Sequence, residues 1–275
     1  MTDLDEAIGV IDTWGAEHVA AAVVRPEAIL ASRGDPDHVF RWASVTKIVT
    51  ALTVLIATER GLVTLDDEAG PPGATVRHLL AHASGLGFEG SMTLAAPGRR
   101  RMYSNVGFDT VAAHVESRAG ESFESIMRSW VLEPLEMHRT TLKERPSQGL
   151  HGPIGDAATL VGELLRPSLV TRETFAAATS VAFPGLVGLL PGVGRFDPLD
   201  WGLGFELHDR KAPHWMPDRS SAGTFGHFGG SGTFLWVDPN ASLGVVGFTD
   251  REYGPWALEA WPPFGDRVLA LVRAA

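Results

Sequence analysis

The sequence predicts an α+β fold in which the two ends of the chain share one antiparallel sheet and the middle forms a largely helical lobe. Two observations carry this reading. Apolar runs of strand character lie near the amino terminus and again after Trp201, whereas the stretch between them has helical apolar spacing interrupted by Gly and Pro. The 275 residues are 44% hydrophobic and 20% charged, enough to bury a sizeable core, which excludes a disordered or collagen-like chain. Residues 1–61 and 200–275 are therefore assigned to an α/β lobe and residues 62–199 to a helical lobe. A small-molecule site is expected in the cleft between them.

Taken in order, residues 18–24 form an apolar run that turns at Arg25-Pro26-Glu27 and returns over 28–32, the pattern of a hairpin. Over 44–60, Ile48, Leu52, Leu55 and Ile56 recur at helical spacing and Gly61 supplies a carboxy-terminal cap, so a buried helix is predicted with Ser44 in its first turn. Gly70-Pro71-Pro72-Gly73 breaks the chain. Residues 76–83, 106–118 and 123–132 then read as helices, the last ended by Pro134. A further helix is predicted over 157–165 and a Gly/Pro-rich loop over 184–197. Residues 225–228, 233–237 and 243–249 read as strands, with Asp238-Pro239-Asn240 turning between the last two. An amphipathic helix over 264–274 closes the chain.

Composition narrows the function classes. The net charge of −10 repels phosphate backbones, so nucleic acid is not an expected partner. Cysteine is absent, which excludes disulfides, thiol nucleophiles and thiolate metal sites. No apolar run reaches the roughly 18–20 residues of a membrane span, and the acidic stretch 1–9 does not read as a signal peptide. A cytoplasmic protein with no membrane partner is expected. His78 and His82 stand four apart on one predicted helix, but no H-E-x-x-H pattern accompanies them and Leu79-Leu80 point to a core helix, so no metal is expected. The chain has no G-x-G-x-x-G ahead of a helix and no G-x-S-x-G elbow, so no dinucleotide cofactor is expected either.

Three short segments carry chemistry. Ser44-Val45-Thr46-Lys47 sets a hydroxyl and an amine three residues apart on one helix face, close enough for the amine to take the hydroxyl proton. Lysine is a base only when neutral, and burial at the positive start of an apolar helix pushes its pKa from about 10.4 toward 7. The plain alternative is a capping serine with a lysine reaching to solvent. Tyr103-Ser104-Asn105 draws on two of the scarcest residue types: with two tyrosines and two asparagines in the chain, about 0.015 such spacings arise by chance. A phenol can relay a proton between nucleophile, amine and leaving group, and a carboxamide can orient a substrate amide or ester. His227-Phe228-Gly229-Gly230 lies on a predicted strand where glycines let a substrate approach the backbone, and the N–H groups of Gly230 and Ser44 are candidates for an oxyanion hole. The run Arg99-Arg100-Arg101 reads as a solvated loop or, alternatively, as a basic rim that draws an anionic substrate to the cleft.

These three segments, in this order and together with 79–86 (LLAHASGL), Pro134-Leu135-Glu136-Met137 and Trp236-Val237-Asp238-Pro239, resemble the serine β-lactamase and penicillin-binding-protein superfamily. The branch of class C β-lactamases, D-alanyl-D-alanine carboxypeptidases and related esterases is the most similar. The resemblance implies a β-lactamase/transpeptidase-like domain with Ser44 as nucleophile, Lys47 and Tyr103 as the acid/base pair, and Asn105, His227, Phe228 and Gly229 as substrate-binding residues. Where such enzymes usually carry Lys-Thr-Gly, this chain has His227-Phe228-Gly229, losing a permanent cation and a hydroxyl that help hold a substrate carboxylate. The expected substrate is accordingly an ester or amide, including a short peptide, ahead of a β-lactam. The competing reading is a member of the same fold that binds or is acylated by such ligands without turnover, although a pure binder has no need of both Lys47 and Tyr103.

Overall fold

A computed structural model describes residues 3–90, 92–209 and 211–274. Its main sheet has six antiparallel strands in the order Ala28–Arg33, Val19–Arg25, Leu243–Thr249, Thr233–Asp238, Phe225–Gly229 and Glu206–Leu207. The chain ends do meet in one sheet, with Ala22 opposite Val246 at the seam. The fold is α+β, as the sequence predicts.

The strands read as unbroken apolar runs because both faces of the sheet are covered. Ala20, Ala22 and Val24 enter one apolar cluster with Val246 and Phe248; their alternating neighbours Ala21 and Val23 enter a second with Val245, Trp261 and Phe264. Helices Thr46–Glu59 and Ile154–Leu165 belong to the first cluster, and helix Pro255–Ala274 to the second. Helix Ile154–Leu165 falls within the stretch assigned by sequence to the helical lobe, yet it lies against strands Val19–Arg25 and Leu243–Thr249. The close fit is visible at Gly244, where a Cβ would collide with the Val161 side chain.

Local signals misplace a few elements. Helix Pro255–Ala274 starts nine residues ahead of the predicted 264 and runs through Pro262 and Pro263. An interior proline costs about 3 kcal/mol, but Trp261, Pro262 and Phe264 are buried against the sheet, and packing overrides the local preference. Segment 184–197, read as a loop, contains the hairpin of Gly188–Leu190 and Gly194–Phe196, whose first strand pairs in parallel with Arg101–Met102. Helices Asp3–Ile8 and Arg172–Ala178 have no counterpart in the sequence reading. Among the described residues no helix is long and apolar enough to cross a membrane.

Gly226 lies mid-strand, and a Cβ there would strike the Leu235 carbonyl of the neighbouring strand. Gly162, inside helix Ile154–Leu165, has open space at the same position. Urea unfolding followed by circular dichroism should therefore find Gly226→Ala less stable by about 1–3 kcal/mol and Gly162→Ala more stable by about 0.5–1 kcal/mol.

Candidate active site

The site begins with the way the chain leaves strand Phe40–Arg41. Trp42 is fully buried, donating its backbone N–H to the Leu150 carbonyl at 2.9 Å and its indole N–H to the Gly152 carbonyl at 3.1 Å. Ala43 follows at φ 46°, a left-handed conformation rare for a residue with a side chain and a store of strain. It is held from outside: the Thr233 hydroxyl donates to the Trp42 carbonyl at 2.8 Å, and strand residue Gly229 packs so tightly that a Cβ would sit 2.6 Å from the Trp42 carbonyl oxygen. Ser44 lies in the short 3-10 turn Ala43–Val45 that precedes the α-helix, not inside it. Its side chain is partly exposed, while every residue from Thr46 to Ala57 is buried.

Lys47 has no exposed surface, and its Nζ makes three hydrogen bonds: Asn105 Oδ1 at 2.6 Å, the Ser147 carbonyl at 2.8 Å and Ser44 Oγ at 3.1 Å. The first two partners can only accept. A neutral amine has two hydrogens and one lone pair, so the carbonyl oxygens take the hydrogens and the lone pair is left for the Ser44 hydroxyl. Burial lowers the Lys47 pKa to about 7; Asp109 and Glu89 oppose this and Arg145 assists it. These groups form a closed ring. Asn105 Nδ2 donates to Glu89 at 2.7 Å, Arg145 donates to Glu89 at 2.9 Å and to Asp109 at 2.7 Å, and Asp109 accepts the Ser147 N–H at 3.0 Å, which returns the circuit to Lys47.

Tyr103 lines the same space as Ser44. Burial pushes its phenol well above the ordinary value, against the downward pull of the Ser44 hydroxyl, so it is held protonated. His82, Phe88, Trp201 and His227 surround the ring, and Lys47 Nζ lies 4.8 Å from its centroid. His227 Nδ1 is 2.7 Å from the Phe228 carbonyl, which can only accept; that nitrogen therefore carries the hydrogen, and Nε2 faces the Tyr103 hydroxyl at 3.5 Å as an acceptor. Burial, reinforced by the Lys47 charge, brings the His227 pKa down to about 3, so the ring is neutral.

A cavity of about 250 Å³ opens over Ser44, walled by Tyr103, Asn105, Phe228, Gly230 and Tyr253 among others. Ser44, Tyr103, Asn105, Phe228 and Gly230 of the sequence-predicted set thus converge on one space. Three residues differ in detail. Asn105 reaches the cavity, but its carboxamide is engaged at both ends by Lys47 and Glu89. His227 stands behind Tyr103 rather than in the cavity wall, and Gly229 serves the close packing of its strand on the turn that carries Ser44. Phe228 is both wall and core, its ring 4.5 Å from Tyr253 and 5.5 Å from Trp215. His78 caps its helix through Thr75, and His82 accepts the Ser104 N–H at 3.1 Å, so each has a structural task. In the arginine run, Arg101 is buried and donates to the carbonyls of Ala81, Ala182, Phe183 and Leu199. Sequence reasoning misses Glu89, Asp109, Arg145 and Ser147; Asp109 alone has a local signal, standing one helical turn after Asn105.

An antiparallel sheet flanked by helices, with a Ser-x-x-Lys turn answered by a tyrosine at its edge, defines the class of serine β-lactamase-fold proteins. The chain belongs to the Beta-lactamase family, whose profile matches residues 11–269. A crystal structure described as a β-lactamase (Mb2281c) from Mycobacterium bovis is 48% identical, with a TM-score of 0.95 over 97% of this chain and 99% of that one. Simvastatin synthase from Aspergillus terreus superposes with a TM-score of 0.83 at 17% identity, over 99% and 98% of the two chains, a likeness of fold. Among curated relatives, penicillin-binding protein 4* of Bacillus subtilis is 28% identical over 38% of this chain, and the D-alanyl-D-alanine-carboxypeptidase/endopeptidase AmpH of Escherichia coli is 27% identical over 41%. These matches span 31% and 39% of the relatives' own lengths.

The ring predicts two opposite shifts. Removing the Glu89 charge (Glu89→Gln) lowers the Lys47 pKa further, whereas Arg145→Gln leaves Glu89 and Asp109 uncompensated and raises it. The pH midpoint for modification of Ser44 by a fluorophosphonate should move down in the first variant and up in the second, each by about half a pH unit given the partial exposure of the charges.

Proposed function

We propose that this chain is a serine hydrolase that cleaves esters or amides with a short, uncharged acyl group through an acyl-Ser44 intermediate. The observation that carries this is the commitment of Lys47: a dry amine with a pKa near 7, two hydrogens spoken for by carbonyl oxygens and the remaining position on Ser44 Oγ. In this reading the Ser44 proton passes to Lys47 Nζ as Oγ bonds to the substrate carbonyl carbon. The developing oxyanion is received by the backbone N–H groups of Ser44 and Gly230. The bond to the leaving oxygen or nitrogen then breaks. The proton held on Lys47 returns to that atom with the Tyr103 hydroxyl as relay, and water releases the acyl group by the reverse sequence.

Two features bear on the substrate. A cavity of about 250 Å³ is below the roughly 300–1,000 Å³ of pockets for drug-sized ligands, which favours a short acyl group. Phe228 and a neutral His227 supply neither hydroxyl nor cation for a substrate carboxylate in this cavity. The Mycobacterium bovis relative carries the description β-lactamase, so nitrocefin belongs in the comparison. A non-catalytic binder gains nothing from a lysine kept neutral at the cost of burial.

Intact-mass analysis after fluorophosphonate treatment should show one adduct in the wild type and none in Ser44→Ala, and kcat/KM for a short-chain aryl ester should exceed that for nitrocefin. An unmodified wild type that turns over neither substrate would refute the proposal. The pH profile has a definite sign. Lys47 must be neutral, so kcat/KM rises through about pH 7 and then levels off, and the strongly raised phenol of Tyr103 produces no alkaline decline up to about pH 10.

A further inference from the structure

A second groove of about 570 Å³ lies beside the Ser44 cavity and shares Phe88, Tyr103 and Pro191 with it. Its position follows from the small sheet in which Met102 pairs with Leu189 and Leu189 with Arg195. The near part is apolar and unusually open: Phe88 is 51% exposed and Leu189 62% exposed. Arg100 and Arg195 line the same groove. Among the described residues neither guanidinium has an ion-pair or hydrogen-bond partner, in contrast to Arg101 in the same lining, whose guanidinium donates to four backbone carbonyls. Two unpaired cations facing an apolar channel are out of character for a chain of net charge −10.

We propose that this groove is a leaving-group subsite for an alcohol or amine with an apolar body and a terminal carboxylate, the carboxylate held by Arg100 and Arg195. The assignment rests on the acyl-Ser44 reading above. In that mechanism Tyr103 hands the proton to the leaving atom, so the leaving group departs past Tyr103, and the space reached across Tyr103 and Phe88 is this groove. The acyl group occupies the smaller cavity beside Phe228. Exposed apolar rings take the body of the leaving group, and two guanidiniums bind a carboxylate by charge-assisted hydrogen bonds. The arginine run read in the sequence as a possible basic rim thus divides its labour: Arg101 builds the wall, and Arg100 faces the ligand.

The test uses three esters: 4-carboxyphenyl butyrate, its neutral methyl ester counterpart, and monophenyl glutarate, which carries its charge on the acyl side. Arg100→Gln/Arg195→Gln should lose about five- to tenfold in kcat/KM for 4-carboxyphenyl butyrate, mainly through KM, and stay within about twofold of wild type for the other two. Unchanged hydrolysis of 4-carboxyphenyl butyrate, or an equal loss for monophenyl glutarate, overturns the subsite while leaving the hydrolase reading intact. If the wild type cleaves none of the three and Ser44 is not labelled by a fluorophosphonate, the hydrolase reading falls and the subsite with it.

Discussion

Everything at this site depends on one amine being kept dry. Holding Lys47 near 7 rather than 10.5 represents about 5 kcal/mol directed against its charged form. A helix buried around its whole circumference imposes that: every residue from Thr46 to Ala57 is buried. The positive end of the helix adds to the same effect. Burial alone would also make the amine's position arbitrary. The ring through Asn105, Glu89, Arg145, Asp109 and Ser147 removes that freedom, because its two carbonyl contacts leave a single direction for the lone pair. The ring also balances its own field: Arg145 lies between the two carboxylates that would otherwise restore the lysine charge, so desolvation remains the dominant influence.

Ser44 is placed by a second constraint, the meeting of the chain ends. The pairing of Val19–Arg25 with Leu243–Thr249 sets the sheet, and strand Phe225–Gly229 then passes close enough to the turn carrying Ser44 for Gly229 to touch Trp42 and Ala43. The left-handed Ala43 is tolerated because Trp42 is pinned on both sides, by Gly152 and Leu150 through its own donors and by Thr233 at its carbonyl. Strain stored next to the partly exposed serine is therefore supported by the sheet rather than by local sequence preference.

This division explains what could be read from the sequence. Ser44 and Lys47 are legible because three residues span one helical turn, and Tyr103 because tyrosine is so rare here that its position carries weight. The strands at both ends are legible because they are long enough to show their apolar character. Glu89, Asp109 and Arg145 are not, since they come from separate loops and a helix, are common residue types, and meet only across intervals of 16 to 56 residues. The hairpin Gly188–Leu190 and Gly194–Phe196 is hidden for a different reason: three-residue strands are too short to display a period, and their partner Arg101–Met102 lies far away in sequence. The amide of Asn105 is legible as a polar group near the site, but which groups it meets depends on Lys47 and Glu89 together.

The altered third segment has a consequence beyond the loss of a cation. A lysine there would be a donor with a positive charge beside the phenol of Tyr103. His227, neutral and with its hydrogen fixed on Nδ1 by the Phe228 carbonyl, presents an acceptor. An acceptor behind Tyr103 favours the phenol hydrogen pointing toward the histidine, which leaves the phenol oxygen free to accept from the Ser44 hydroxyl. Lys47 through its lone pair and Tyr103 through its oxygen then both offer acceptors to the same serine proton. A phenol held protonated accepts a hydrogen bond but not a second proton, whereas an amine with a pKa near 7 keeps an open lone pair near neutral pH. Exchanging a lysine for a histidine in the third segment thus bears on substrate charge in the cavity and on proton direction at the tyrosine, while the Ser44 and Lys47 pairing stays as the first segment set it.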